Sequence, residues 1–364
     1  MLITVVGNRP QFVKLAPVAH EIRRRSLPSL TVHSGQHFDA SMSDVFFDEL
    51  GIPPPDIQLV VQGRTHARAT GEMMAAIEDV LLERRPTGVL VYGDTNTTLA
   101  AALAAVKLCL PIAHVEAGPR IYDMRSPEEI NRIVADHSSS LRFCPDAASV
   151  ENLRRENITS GVIETGDAMY DAFEHFRPIA RTASRVLDQH GLRDTPFTLL
   201  TAHRPNNTDS DVAIARLVEL CEAIDGPVLF PVHPRTKAAL DRAGLWNALA
   251  SLAHVRAVPP LGYLDVVAAL DGCARVVTDS GGLQKEAFFA RKPAIVLFAV
   301  SPWPALVDDG WVRPMGSLDE TLPADVLPAI AAARPARTAG AHFGDGRAAT
   351  RIVDALEQHG FFGV

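Results

Sequence analysis

The chain has little cysteine and no paired cysteine. Cys109, Cys144, Cys221 and Cys273 stand singly in apolar stretches with no Cys-x-x-Cys spacing, so they read as buried thiols in a reducing cytoplasm. No apolar run approaches the roughly 20 residues that a membrane span needs. The opening MLITVVGNRP enters a strand and a turn directly. It has no basic n-region or cleavage site, which again implies a cytoplasmic protein. No Gly-x-Gly-x-x-Gly follows any predicted strand, so dinucleotide binding has no support and no cofactor is expected. Positive charge is in deficit: the formal net charge of −8 argues against a nucleic-acid or anionic-membrane partner. It leaves room for a phosphate site, which needs only local charge. Low-complexity segments and short repeats are absent too.

What is present is an ordinary globular balance, 47% hydrophobic and 21% charged over 364 residues, a length that suits two domains. Short apolar runs alternate with helical patterns. LITVVG, LTVHSG, GVLVYGD, PIAHVEAG and LRFC read as strands in the first half. FTLLTAH, PVLFPVH, HVRAVPP, RVVTDSGG and PAIVLF do so in the second. Strands alternating with helices predict βαβ units around parallel sheets. The expected fold is α/β, two Rossmann-like domains facing each other across a cleft, with the boundary near Gly166–Ala180. A last helix is expected from about Arg347 to Gln358.

The stretch VYGDTNTT, HVEAGPR, SPEEINRIVADH carries the densest chemistry. Asp94 and Glu116 end apolar runs, and Glu128 and Glu129 open a helix. The carboxyl ends of parallel strands share one edge, where ligands bind, so Asp94 and Glu116 should face the same crevice and the Glu pair could join them. Acids without metal-ligand spacing suggest proton chemistry on an uncharged, hydroxyl-rich substrate. His114, inside the acid-bearing strand, reads as packing. Asp136-His137 reads equally as a helix-end charge pair or as part of the site.

Two anion sites are predicted. Gly7-Asn8-Arg9-Pro10 closes the first strand and opens a helix carrying Lys14, which places a helix N-terminus and two cations together. Thr278-Asp279-Ser280-Gly281-Gly282 ends a strand in a turn whose glycines admit a ligand close to the backbone. Glu286 sits in the helix that follows and could accept ribose hydroxyls. Together the two suggest a nucleotide diphosphate gripped from both domains. His203-Arg204 and His233-Pro234-Arg235 end second-domain strands, and Gln36-His37 lies at the matching edge of the first. Paired histidines at equivalent edges, each near an arginine, read as either structural or functional.

In this order the motifs resemble the bacterial and archaeal non-hydrolysing UDP-N-acetylglucosamine 2-epimerases. The likeness is densest in VHSGQHFDASMSDVFFDELGI, VYGDTNTTLAAALAAVKLCLPIAHVEAG, SPEEINRIVADH, PVHPRTK, PLGYLDVV and TDSGGLQKEAFF. It implies a glycosyltransferase-B-like fold, with an N-terminal Rossmann-like domain over 1–168 and a UDP-binding one over 169–346. The C-terminal helix, about 347–364, would pack back on the first domain. It also implies a homodimer that binds a UDP-sugar. By resemblance Arg9, Lys14, Ser280, Gly281, Gly282 and Glu286 hold UDP, and Asp94, Glu116, Glu129 and His203 are the acid–base residues. Some members bind a second UDP-N-acetylglucosamine as an activator, which would involve Gln36, His37, Arg204 and His233.

The implied reaction suits an acid cluster and needs neither metal nor nicotinamide. A pyranose C2 proton has no adjacent carbonyl, but departure of UDP from C1 acidifies it. A base then takes the proton to leave a glycal, and UDP returns after a proton arrives on the opposite face. Several positions depart from the family pattern. His203-Arg204-Pro205-Asn206-Asn207 lacks the usual Glu. Phe298, Ser301 and Pro302 stand where an Arg and a Thr-Glu pair are usual, and Pro119 replaces Leu. The segment IYDMRSPEE before the Glu pair also differs from the common pattern. These changes motivate an alternative, a hydrolysing epimerase or hydrolase acting on a UDP-sugar or nucleoside-type substrate. A non-enzymatic nucleotide-sugar sensor fits less well, because the acids are kept.

Overall fold

The computed structural model describes residues 1–36, 47–63, 65–334 and 342–363. The chain divides into two compact units, Met1–Glu174 with Ala341–Val364, and His175–Gly340.

In the first unit β1 (Leu2–Val6), β2 (Ser29–His33), β3 (Ile57–Gln58), β4 (Gly88–Tyr92), β5 (Ile112–Val115), β6 (Leu141–Cys144) and β7 (Val162–Glu164) make one sheet. Their order is β3-β2-β1-β4-β5-β6-β7, with every neighbouring pair parallel. The second unit has β8 (Thr198–Thr201), β9 (Val228–Pro231), β10 (Val255–Val258), β11 (Arg275–Thr278), β12 (Ala294–Val296) and β13 (Val312–Pro314). Their order is β10-β9-β8-β11-β12-β13, again parallel. Central strands such as LITVV and GVLVY are buried throughout, as expected when helices cover both faces of a parallel sheet. Each strand order reverses once, between β1 and β4 and between β8 and β11. At such a switch point the flanking loops part and leave a crevice at the carboxyl edge.

The helix Asn96–Lys107 shows why the first sheet packs closely. Its Ala100, Ala101, Ala104 and Ala105 are buried in one cluster with Ile3, Val5, Val89, Val91, Met73 and Ile77. Small side chains let the helix approach the strands, and each buried Val or Ile contributes about 1.5–3 kcal/mol. Thr95 and Thr98 cap the helix start reciprocally. Gln11, on the helix Arg9–Arg24, ties the switch point together. Its Oε1 accepts the Gly7 N–H at 2.7 Å, and its Nε2 donates to the Tyr92 carbonyl at 2.9 Å and the Thr98 hydroxyl at 3.1 Å. In the second unit the helix Asp211–Ala223 packs Ile214, Leu217 and Cys221 against Leu200, Phe230 and Val277.

The C-terminal helix Ala348–Gln358 lies along Arg9–Arg24. Arg25 reaches Asp354 at 2.7 Å and Glu357 at 2.5 Å. Asp171 accepts the N–H groups of Ala348 at 3.1 Å and Ala349 at 2.8 Å, which caps the helix start. The stretch near Gly166–Ala180 is mostly a continuous helix, Ala168–Ala183, with Pro178 inside it.

Three strands go beyond the sequence reading: β3, β7 and β13 are short edge strands of two or three residues with partly exposed faces, too short to show a period. One expectation is corrected. Cys144, Cys221 and Cys273 are buried, but Cys109 is exposed, because it sits in a left-handed turn (φ 56°) just past the helix end. Among the described residues no helix is long and apolar enough to cross a membrane.

Candidate active site

The first unit gathers its acids around two cations at the β4 and β5 edge. Glu116 follows β5 with φ 67°, a left-handed conformation that costs a non-glycine residue on the order of 1 kcal/mol or more. The N–H groups of Glu116 and Ala117 both donate to the Phe143 carbonyl at 3.1 Å and hold the turn. The carboxylate then meets Lys14 Nζ at 2.5 Å, with both residues buried. Gly93 makes room for the pair. It has φ 59°, and a Cβ there would lie 3.0 Å from Lys14 Nζ and 3.5 Å from Glu116 Oε1.

Asp94, half-buried, places Oδ2 2.5 Å from Arg132 Nη2, while Arg132 Nη1 is 3.0 Å from Glu129 Oε2. Asn131 Nδ2 donates to the Asp94 carbonyl at 2.9 Å. Burial pulls the Arg132 guanidinium down, but the charges of Asp94, Glu129 and Glu116 more than compensate and raise it. Arg132 is therefore a fixed positive charge among three carboxylates.

The Glu pair divides. Glu129 is fully buried, and besides Arg132 its carboxylate accepts the N–H groups of Ile121 at 3.1 Å and Tyr122 at 2.8 Å. It braces the 119–125 loop. Glu128 is exposed and accepts the Ser126 hydroxyl at 2.6 Å.

Beneath this edge lies a buried polar network where the sequence suggested packing. His114 Nε2 meets the Gly93 carbonyl at 2.7 Å, and Nδ1 meets Asp136 Oδ1 at 2.7 Å. Asp136 Oδ2 takes Arg120 Nη1 at 2.7 Å and the Gly118 N–H at 3.1 Å. Burial pushes the Asp136 carboxyl up, but His114 and Arg120 hold it below the usual carboxylate range. His137 instead pairs at the surface with Glu156.

Arg9 begins the helix after β1, where Asn8 Oδ1 accepts the Gln11 N–H. Gln36 is engaged in structure: its Oε1 accepts the Thr97 N–H at 3.0 Å and the Thr97 hydroxyl at 2.6 Å. His37 lies outside the described residues.

The second unit presents its own edge at the β8/β11 switch. Asp279 is buried there, and its Oδ2 accepts the N–H groups of His203 at 2.7 Å and Arg204 at 2.8 Å and Asn207 Nδ2 at 3.0 Å. Burial pushes its carboxyl up, but the His203 ring and these donors hold it down at about 2. Arg204 Nε donates to the Asp279 carbonyl at 2.8 Å, and its guanidinium lies over the Phe298 ring at 4.6 Å. The departure at Phe298 thus replaces a cation with an aromatic support for one. His203 and His233 lie with ring centroids 5.3 Å apart.

Ser280 caps the helix Gly281–Phe289, accepting the Leu283 N–H. Gly281 and Gly282 form its first turn, and Glu286 is buried further along it. The fold does not demand Gly281: its φ is not positive, and an added Cβ would meet only Pro302 Cγ, at an ordinary 3.7 Å. The altered loop packs on this helix start. Trp303 Nε1 donates to the Gly281 carbonyl at 2.9 Å, and Ser301 Oγ donates to Gln284 Oε1 at 2.7 Å.

Sequence reasoning missed Arg132, Asp279 and Asn207 as site builders. Arg132 was legible in principle, since it falls three and four residues after the Glu pair on one helix face.

These features define a class: a protein of two Rossmann-like units, one with compensated carboxylates at its ligand edge and the other with a histidine beside a glycine-opened helix. A profile of the UDP-N-acetylglucosamine 2-epimerase family matches residues 20–357. The chain is 40% identical over 357 residues to a UDP-N-acetylglucosamine 2-epimerase homolog of Methanococcus maripaludis, covering 98% of this chain and 99% of that one. It is also 40% identical over 362 residues to the UDP-2,3-diacetamido-2,3-dideoxy-D-glucuronate 2-epimerase of Pseudomonas aeruginosa, with coverage of 98% and 99%. The crystal structure of Methanocaldococcus jannaschii UDP-GlcNAc 2-epimerase in complex with UDP-GlcNAc and UDP superimposes with a TM-score of 0.92 at 34% identity, covering 98% and 99%. The chain belongs to the UDP-N-acetylglucosamine 2-epimerase family, and its fold is of the glycosyltransferase-B-like class.

Proposed function

We propose that the chain is a UDP-sugar 2-epimerase that interconverts UDP-N-acetylglucosamine and UDP-N-acetylmannosamine. The observation that carries the reading is the cluster at the first unit's edge. Asp94 and Glu116 follow the neighbouring strands β4 and β5 and are each paired with a cation, Arg132 and Lys14. Carboxylates held at a ligand edge can take and return a proton.

The reaction runs in two balanced steps. The C1–O bond breaks with its electron pair leaving on UDP, the C2 proton passes to one carboxylate, and a C1–C2 double bond forms. A proton then reaches C2 on the opposite face and UDP oxygen rejoins C1, so the product is an isomer of the substrate. Asp94 and Glu116 are the proton-handling pair. The saturated, buried Glu129 serves as their support, which leaves Glu128 as the solvent-facing member of its pair.

The second unit's edge is assigned to UDP. Ser280, Gly281 and Gly282 would offer helix N–H groups, His203 would contact the diphosphate, and Glu286 would accept ribose hydroxyls. A cytoplasmic homodimer belongs to the same reading.

A second substrate has equal support from the relatives, one of which is named for UDP-2,3-diacetamido-2,3-dideoxy-D-glucuronate at the same 40% identity. Incubating the protein with each UDP-sugar and following the C2 epimer by NMR separates the two. Epimerisation of UDP-N-acetylglucosamine sustains the first reading. Turnover of the diacetamido-glucuronate alone replaces it. The relatives' names are those of epimerases, which favours either over hydrolysis.

A further inference from the structure

Asp279 has no role in the reaction as described, yet the ligand edge of the second unit is built on it. Three amide donors fix its Oδ2. Its Oδ1 lies 2.8 Å from His203 Nδ1, outside hydrogen-bond alignment, and no other donor among the described residues satisfies it. The carboxylate is immobile and buried, whereas the His203 side chain is 38% exposed. A small turn of the imidazole would complete the bond. Catalytic hydrogen bonds are often misaligned until ligand binds.

Such a neighbour selects the ring's proton position. An unprotonated Nδ1 would point its lone pair at an anion, so the carboxylate favours Nδ1–H and leaves Nε2 to act outward. His233, the adjacent ring, is set up in the opposite way. Its Nδ1 accepts the Arg235 N–H at 3.1 Å, which requires a lone pair there. Of the two imidazoles, His203 is the one whose Nδ1 faces a carboxylate. The nearby Arg204 is committed to the Asp279 carbonyl and the Phe298 face.

We propose that Asp279 is a positioning residue that holds His203 Nδ1-protonated, so that the outward-facing Nε2 lone pair can accept a proton and then, as Nε2–H, donate a hydrogen bond to the departing diphosphate as the C1–O bond breaks. This rests on the assignment of UDP to the second unit's edge.

The test uses the full chain with isotope-labelled histidine, the His203 signals being assigned by their loss in His203→Gln. In the wild type the ring-nitrogen shifts should report Nδ1–H. In Asp279→Asn the amide N–H faces Nδ1 and should switch the ring to Nε2–H. Turnover should then fall by roughly 10²–10⁴-fold in kcat, as when a carboxylate behind a catalytic imidazole is neutralised, with UDP affinity changed only a few-fold. An Nε2–H ring in the wild type overturns the proposal without any need for the variant to fold. A switched tautomer with kcat unchanged overturns it as well. If UDP-N-acetylglucosamine is not the substrate, the wild type is inactive on it while the tautomer experiment still reads out, so the two failures are separable.

Discussion

Lys14 Nζ lies 2.5 Å from Glu116 Oε1, and neither side chain is more than a tenth exposed. Removing one member of a buried pair strands the other charge, at a cost of about 3–5 kcal/mol. Glu116→Gln is therefore expected to lower the unfolding midpoint as well as abolish turnover. A Lys14→Met/Glu116→Leu double variant should recover much of that stability and none of the activity. Denaturant unfolding of both variants checks this, and a Glu116→Gln protein as stable and active as the wild type contradicts it.

Asp94 and Glu129 share Arg132 but should behave differently. Asp94→Asn is expected to cut turnover by about 10²-fold or more, the scale of general acid–base catalysis, while UDP affinity measured by calorimetry stays within a few-fold. Glu129→Gln should instead show first as lost stability, because it loosens a buried brace that holds Ile121, Tyr122 and Arg132. Normal stability with lost activity in Glu129→Gln would return that residue to the reacting groups.

Two glycines give a second contrast. Gly281→Ala meets only Pro302 at 3.7 Å, so the midpoint should hold while UDP binding weakens by about 10-fold (1.4 kcal/mol) if a phosphate approaches that helix start. Gly93→Ala adds a Cβ in a left-handed conformation against Lys14 Nζ and should cost about 1–3 kcal/mol of stability. Titration with UDP and thermal unfolding separate the two outcomes.

Stability should carry two pH signatures of opposite sign. Burial pushes the Asp171 carboxyl up to about 6, although the Ala349 and Ala348 N–H groups pull it down. The folded state then holds a proton that the unfolded state releases near pH 4, so this contribution is full below about pH 4 and is lost as pH rises through about 6. An Asp171→Asn variant should gain on the wild type across that window. Asp279, held at about 2, acts the other way: its contribution is present above about pH 4 and is lost as pH falls through about 2. Unfolding free energies measured from about pH 2 to 7 test both.

Most of the sheet and part of the site could be read in advance. Runs such as LITVV and GVLVY are long and apolar enough to announce buried parallel strands, and a strand end followed by Asp94 or Glu116 marks the ligand edge. The short edge strands at Ile57–Gln58, Val162–Glu164 and Val312–Pro314 carry no period to detect. Side-chain commitments were hidden for a different reason. Nothing in the letters of Glu128-Glu129 tells which carboxylate is buried, because that depends on where the Ile121–Tyr122 backbone folds. The Arg132–Asp94 contact, Asp279 and the Asp136–His114 pairing are likewise created by contacts distant in sequence.

A UDP-sugar 2-epimerase must exchange the proton at C2 of its substrate. The most direct test is proton NMR of UDP-N-acetylglucosamine with the protein in D2O. Deuterium entering C2 together with a growing UDP-N-acetylmannosamine signal is the predicted result. Accumulating free UDP and reducing sugar, or a C2 proton that never exchanges while ligand binds, would contradict it.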